Sequence, residues 1–395
     1  MGMQKVSEQG WSLLKQAVVQ SFSNPGLSFS LAKKNILSSR QLHSGERRYL
    51  SNLFFNCIRW RRKLWGDIAP SKMDWEQIQK KLTEINNMKS TFDYVHWSKQ
   101  PLDKVAIEVS FPTWLLQLWV SQFGFEPSID LALAMNEPAK AVFRVNTLKT
   151  DRDSVLEFLK AENISAKPSA YSPWAIELEQ RTNIKHHRAY KNGWLEPQDE
   201  ASQLCVLKMD LPEHAKVLDA CARTGGKSFA MAALLENSGE ILATDSDSRV
   251  LEKLKQRARR LGVKNIQTQW VGQDDPRPIV GQKMFDHVLV DSPCSGLGTL
   301  RRNPMAKWTM TPTWVESFPK LQKKILSRYS QYVKDKGSLY YITCSLNKNE
   351  NEKVCSDFLL KHSHFIMQGE PIYFRPDTEG TDGFFMQKFI KAVKD

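Results

Sequence analysis

Two short segments carry residue types that could do covalent chemistry: LVDSPCSGLG, from Leu289 to Gly298, and YYITCSLNKN, from Tyr340 to Asn349. In each, a strand-like apolar run ends in a Cys-Ser step and then a loop. Cytosine and uracil are poor nucleophiles at C5. A thiolate that adds to C6 turns the ring into an enamine, and C5 can then attack a methyl sulfonium. A base next removes the C5 proton and the thiol is eliminated, so one difficult step becomes two easier ones. The route needs a thiolate, a group that steadies the N3/N4 edge of the ring, and a proton acceptor. Cys294, Cys344 and Asp291, at what read as neighbouring strand ends, could supply all three. On chemistry alone either cysteine could be the nucleophile. The Asp291 carboxylate disfavours a thiolate at Cys294, whereas no acid stands immediately beside Cys344, and Lys227 could favour a thiolate electrostatically. A single strand-end cysteine is most often packing; Cys57, Cys205, Cys221 and Cys355 are read that way. Methylation of an exocyclic amine typically uses Asn/Asp-Pro-Pro-aromatic, but here Pro293 is followed by cysteine.

A cofactor signal lies upstream, in VLDACARTGGKS (Val217 to Ser228). Gly225 and Gly226 allow a tight turn and close approach to a ligand, and the helix that follows offers free N–H groups. A phosphate-binding Walker loop would need glycine where Cys221 stands, and the G-x-G-x-x-G of a dinucleotide site is absent. The remaining reading is an S-adenosylmethionine (AdoMet) site, with Asp219 and the loop holding the amino acid end of the cofactor. Asp245, nineteen residues beyond Gly226 at the end of the next strand, could accept both ribose hydroxyls. Asp274 follows the strand after that and could bind the adenine amine; Asp275 is its less favoured neighbour.

These residues need a frame, and the sequence supplies one. From KVLDA onward strands and helices alternate: KSFAMAALLEN, EILATD, SRVLEKLKQRARRLG, NIQTQWV, FDHVLV, a long helix over 314–333, SLYYIT and NEKVCSDFLLK. Alternation predicts an α/β, doubly wound, Rossmann-like sheet covered on both faces, with ligands at the carboxyl ends of its strands. FIMQGEPIYF and GFFMQKFI predict a closing antiparallel edge hairpin. Before the sheet, AVFRVNT, DSVLEFLKAE and WAIELE predict a small α/β unit, and GWLEPQDEASQLCVLKM leads through a turn into a helix. Residues 1–130 show helical spacing. Leu50, Leu53, Phe54, Cys57 and Ile58 recur at i, i+3, i+4, i+7 and i+8, and Thr113 to Phe123 reads as another helix. The expected domains are therefore 1–130, 131–200 and 201–395.

Composition bounds the rest. The 395 residues carry 56 Lys and Arg against 43 Asp and Glu, a net charge of +13, which favours a polyanionic partner. RWRRKLW (Arg59 to Trp65) interleaves cations with tryptophans, KLKQRARR (Lys253 to Arg260) sets five cations on one helix, and Arg301 and Arg302 follow the first cysteine motif. All are candidate phosphate contacts. The six cysteines show no zinc spacing and do not read as a disulfide framework. No run approaches the roughly 20 apolar residues that cross a bilayer; the most apolar, FPTWLLQLWV, is too short. The expectation is a cytoplasmic, metal-free monomer that binds RNA.

Together, DACARTGGKS, ATD, DSPCSGLGTLRRNP and YITCS, with GWLEPQDEASQL before them and DGFFMQKFI after, resemble the RsmB/Sun family of RNA cytosine-C5 methyltransferases. The resemblance runs from about Pro138 to the end. The helical part is similar, more loosely, to the NusB-like domain of the bacterial members, and the unit from Ala139 to Glu200 to their RRM-like piece. The resemblance implies Cys344 as nucleophile, Cys294 as the residue that assists release of the methylated base, and 16S ribosomal RNA as substrate. It also implies AdoMet contacts along Cys221, Ala222, Arg223, Thr224, Gly225, Gly226 and Lys227 and at Asp245, Asp274 and Asp291. Where the family usually reads Ala-Pro-Gly-Gly-Lys, this chain has Arg223-Thr224-Gly225-Gly226-Lys227, which frees φ at Thr224 and adds bulk and charge at Arg223. The same chemistry on transfer RNA, and an RNA-binding assembly factor without activity, are the alternatives.

Overall fold

The structure, a computed structural model, describes residues 6–23, 25–39, 42–85, 92–180, 182–272 and 284–393. It divides into two compact units: Met1–Pro138 with Leu300–Pro312, and Ala139–Thr299 with Thr313–Asp395.

The first unit is helical. The helix Ser44–Arg59 buries the five residues of the predicted stripe, Leu50, Leu53, Phe54, Cys57 and Ile58. Thr113–Phe123 is helical with the bounds the sequence gives. Leu300–Pro312 belongs with these helices rather than with the sheet: Met305 joins their core and Trp308 Nε1 donates to the Ile58 carbonyl at 2.6 Å. Lys307 is 1 % exposed. Its ammonium donates to the carbonyls of Arg59 and Ser110, each at 2.7 Å, and to Asn136 Oδ1 at 2.6 Å. Burial pushes this lysine well below its ordinary pKa.

The second unit holds two sheets. Strands β1 (Ala141–Val145), β2 (Ala166–Pro168), β3 (Ala175–Leu178) and β4 (Leu195–Pro197) form an antiparallel sheet of order β2-β3-β1-β4. The helix Arg152–Ala161 turns Val155 and Leu159 into the same core as Phe143, Val145 and Ile176. β2 and β4 escape the sequence reading because three residues show no period and each ends in proline.

The large sheet comprises β5 (Lys216–Asp219), β6 (Glu240–Asp245), β7 (Ile266–Trp270), β8 (Phe285–Asp291), β9 (Val333–Thr343), β10 (Phe365–Phe374) and β11 (Phe384–Lys391). Its order is β10-β11-β9-β8-β5-β6-β7. β7, β6, β5, β8 and β9 run parallel, so their carboxyl ends share one edge; β11 pairs antiparallel with β9 and β10 with β11. The α/β, doubly wound, Rossmann-like architecture is thus present, and the same unit carries the small antiparallel sheet. Buried Leu218, Val288, Val290, Leu339, Tyr341 and Phe385 form its core, each contributing roughly 1.5–3 kcal/mol. The single helix expected over 314–333 is instead Pro312–Glu316 followed by Phe318–Ser330, and Val333 already lies in β9. Pro319 explains the break, because it has no N–H to continue the first helix yet fits the opening turn of the second.

The small sheet is tied to the large one by charge. Glu196 of β4, with a 1 % exposed side chain, receives Arg260 at 2.6 Å and Arg257 at 3.1 Å. Both arginines come from the helix Ser248–Leu261. Removing one partner from such a buried group costs about 3–5 kcal/mol. No described helix is long and apolar enough to cross a membrane.

Candidate active site

The carboxyl ends of the parallel strands open into a cavity of about 370 Å³. Three of these strands, β6, β8 and β9, deliver polar side chains there at or just beyond their ends. Asp245 closes β6, Asp291 closes β8 with Cys294 three residues on, and Cys344 follows β9 directly. Cys221, Arg223, Asp245, Asp291, Cys294 and Cys344 all line the cavity; apolar Val250, Val271, Leu321 and Ile325 complete its walls.

The two sulfur atoms lie 3.3 Å apart. The Ser292 N–H donates to the Ile342 carbonyl at 2.9 Å and the Gly298 N–H to the Cys344 carbonyl at 2.9 Å, so the two loops are stitched on either side of the pair. Gly298 must be glycine: a Cβ there would meet the Gly383 carbonyl oxygen at 2.0 Å. Beneath the cysteines lies a residue the sequence reading missed. Glu350, 0 % exposed, accepts from the Ser295 N–H at 2.8 Å, Ser345 Oγ at 2.8 Å, Gln322 Nε2 at 3.0 Å and Ser295 Oγ. The serines that follow each cysteine thus end on one carboxylate. The signal was present, as the same Cys-Ser step written twice, but the acid that unites them lies fifty-six residues from Cys294.

Cys294 is pushed well above the ordinary thiol pKa, first by its hydrogen bond to Cys344, then by burial, then by negative charge on Cys344 and Glu350. The carboxylate that disfavours a Cys294 thiolate is therefore Glu350; Asp291 is engaged elsewhere, its Oδ2 taking a hydrogen bond from Lys227 Nζ at 2.7 Å. Burial works against the charge on Lys227, but Asp291 and nearby cysteines outweigh it and hold its pKa above the ordinary value.

The cofactor loop divides. Cys221 and Arg223 face the cavity, whereas Asp219, Ala222, Thr224, Gly225, Gly226 and Lys227 do not line it. Asp219 is 1 % exposed; Ser228 donates to its Oδ2 at 2.6 Å and its Oδ1 has no partner among the described residues. Burial raises its pKa to about 7, with Asp291 and Asp245 pushing the same way. Gly225 takes φ +86, and a Cβ there would strike Phe229 at 2.6 Å. Lys227 supports Asp291 from behind, its ammonium 5.0 Å from the Phe384 ring centre. The freedom expected at Thr224 is used one residue earlier: Arg223 sits at φ +50, a conformation that costs an L residue roughly 1–2 kcal/mol. Its N–H donates to Asp245 Oδ2 at 2.8 Å, and the Asp247 N–H to Oδ1 at 2.9 Å. Asp245 is thereby fixed with lone pairs left for further donors. Asp274 and Asp275 lie outside the described residues.

Of the basic runs, RWRRKLW turns inward: Arg59 and Arg62 are buried and Lys63 pairs with Glu108. The chain turns a corner at Trp60 between two helices, which sends neighbouring cations in different directions. In KLKQRARR, Arg257 and Arg260 serve Glu196 while Lys253, Lys255 and Arg259 stay exposed. Arg301 is buried and Arg302 exposed. Among the described residues no group of three His, Cys, Asp or Glu could hold a metal ion.

A parallel sheet of this order, with an acid closing β6 and a cysteine pair at the ends of β8 and β9, defines a Rossmann-like methyltransferase. The family model described as 16S rRNA methyltransferase RsmB/F matches residues 206–390, and that of the RsmF/B-like ferredoxin-like domain matches residues 111–185. The probable ribosomal RNA small subunit methyltransferase B of Bacillus subtilis (strain 168) is 31% identical over 304 residues, 73% of this chain and 68% of that one. The chain belongs to the RsmB/F family. Among solved structures, PH0851 is similar with a TM-score of 0.80 at 21% identity, covering 98% of this chain and 100% of its own. NSun6 from Pyrococcus horikoshii, solved with SFG, has a TM-score of 0.64 at 20% identity, covering 72% and 99%. At these identities both report the fold.

Proposed function

We propose that the protein transfers a methyl group from AdoMet to C5 of a cytosine in small-subunit ribosomal RNA through a covalent bond from Cys344 to C6. The observation that carries this reading is the cysteine pair, 3.3 Å apart in a cavity whose other end is an acid held by two backbone N–H groups. The residues fit AdoMet: Asp245 has lone pairs for ribose hydroxyls, and the apolar walls suit an adenosine. SFG, with which a relative of the same fold was solved, is an AdoMet analogue. When bound, AdoMet supplies the methyl group as an electrophile.

The chain's own residues do the rest. Cys294, held protonated, donates its S–H to Cys344 and steadies a thiolate there. As that thiolate forms its bond to C6, the ring π electrons move toward N3 and C4 and make C5 nucleophilic. Asp291, oriented by Lys227, accepts from the N4 amino group, a donor that uracil lacks. Once Cys344 is a thioether, the hydrogen bond that most raises Cys294 and the charge of Cys344 are gone, while burial and Glu350 remain. Cys294 can then lose its proton to water and remove the C5 proton, and the C6–S bond breaks to restore the aromatic ring and the Cys344 thiolate. The sum is one methyl gained and one proton released. Incubating the protein with labelled AdoMet and unmodified ribosomal and transfer RNAs, then mapping 5-methylcytosine, tests the reading. Label in 16S RNA at C5 is expected; label only in transfer RNA, or none, overturns it.

A further inference from the structure

The helical unit holds a second cavity, of about 250 Å³, with Arg61, Thr113, Trp114, Lys307 and Trp308 in its walls. The cations in and around it are not equivalent. Arg62 donates to Asp67 at 2.8 Å, to Asp103 at 3.0 Å and to the Phe111 carbonyl at 2.9 Å. Lys63 is paired with Glu108, and Lys307 directs its three N–H groups at three oxygens. Arg61 differs. Its guanidinium packs over the rings of Phe22 and Trp308, 5.0 and 5.1 Å from their centres. Among the described residues it has no hydrogen-bond acceptor, and its Nε is buried without a partner.

Ring contacts fix the plane of a guanidinium while leaving its in-plane N–H groups for an acceptor. Burial lowers the Arg61 pKa and Asp67 works against that, yet the Asp67 carboxylate accepts from Arg62, so among the described residues the Arg61 N–H groups keep no acceptor. Trp114 lines the same space, half-buried, and among the described residues no other aromatic ring touches it. An open guanidinium fork beside an unstacked indole matches two parts of one nucleotide: a phosphodiester for the fork and a base for the ring. We propose that this cavity binds one nucleotide of the single-stranded part of the RNA substrate, its phosphate on Arg61 and its base on Trp114. The site rests on the reading of the protein as an RNA-modifying enzyme.

The test uses the full chain and a labelled single-stranded oligoribonucleotide, with affinity followed by fluorescence anisotropy across a salt series. Arg61→Met is expected to weaken binding about tenfold and to flatten the log–log salt slope by roughly 0.7, the value for one phosphate contact on a single strand. Arg61→Lys restores the slope but only part of the affinity, because the planar fork is lost. Trp114→Ala weakens binding several-fold with the slope unchanged. Wild-type protein photo-crosslinked to an oligonucleotide carrying 4-thiouridine should yield adducts on peptides containing Trp114 or Trp308, whatever the variants' folding. Crosslinks confined to other peptides, or an unchanged slope in folded Arg61→Met, overturn the proposal. Displacement of the RNA by inorganic phosphate at equal concentration also overturns it, since the site would then serve free phosphate. Methyl transfer to the RNA is scored separately. Arg61-dependent binding without transfer leaves the site standing and removes the proposed function; transfer with an unchanged KM in Arg61→Met does the reverse.

Discussion

At the cysteine end of the active-site cavity the groups that face the ligand are backed by buried side chains: Lys227 behind Asp291, and Glu350 beneath Ser295 and Ser345. At the acid end the backing is backbone, with Arg223 and Asp247 N–H groups holding Asp245. Each arrangement suits a different task. A reacting pair must be placed to a fraction of an ångström and have its protonation set, which needs charges arranged in three dimensions. A binding acid needs only to be ionised and aimed, which a turn can do alone. Disturbing the cysteine end should therefore change the reaction, and disturbing the acid end should change affinity or pH response.

The largest expected effect is at the cysteines. Cys344→Ala should lower methyl transfer by roughly 10⁴-fold or more, as removal of a nucleophile does, and should form no adduct with RNA containing 5-fluorocytidine. Cys294→Ala should still form the adduct and release it poorly, so protein–RNA species accumulate on ordinary RNA in denaturing gels. The reverse pattern would exchange the two roles. Alkylation rates against pH sharpen the point. In the wild type Cys294 should react only above the ordinary thiol range, and in Cys344→Ala its profile should move down, because the main cause of its raised pKa is gone.

Next in size is Glu350. Glu350→Ala strands the donors of Ser295, Ser345 and Gln322 in the interior and should cost about 3 kcal/mol or more, read from the urea midpoint. Glu350→Gln should cost less and still lower the alkylation pH of Cys294, since the negative charge is removed. If Glu350→Gln leaves that profile in place, the carboxylate supports the loops without setting the thiol.

The two ends also differ in how much the sequence discloses. Asp245 was legible because its position follows from a strand ending a fixed stretch after a glycine turn, a local matter. The order of the sheet followed from alternation, and Cys294 and Cys344 from strand ends. Glu350 was not legible, because its role arises where the loops after β8 and β9 meet. The same reason defeated the basic runs. Arg59, Arg62, Arg257 and Arg260 look like surface cations in one dimension, yet Arg59 and Arg62 are buried and Arg257 and Arg260 answer the buried Glu196. Pro319, by contrast, announced its helix break locally and was overlooked.

At the acid end, Asp245→Ala should weaken AdoMet by roughly 1.5–3 kcal/mol, the range for hydrogen bonds to a charged group, with the thermal stability of the apoprotein little changed. Calorimetry measures it directly. An unchanged Kd would mean that the acid holds the Arg223 turn and not the ribose.

The smallest effect isolates the one acid-end residue that is backed by burial. Asp219 has a pKa of about 7, raised chiefly by burial and also by Asp291 and Asp245, while Ser228 and Lys227 pull it down. In the unfolded chain its pKa is about 3.9. Between these values the folded protein keeps a proton that the unfolded chain has shed, so stability from this group is greatest below about pH 4 and falls as pH rises through the window, levelling above pH 7. From pH 6 to pH 7 the loss should approach roughly 1 kcal/mol. Asp219→Asn removes the titration while keeping a carbonyl for Ser228, so its urea midpoint should decline less over that interval than the wild type's. Carboxylates remote from Asp219 contribute equally to both proteins and cancel in the difference; Asp291 and Asp245, which couple to it, do not. Parallel curves would place the Asp219 proton elsewhere, and the acid end would then be governed by its backbone contacts throughout.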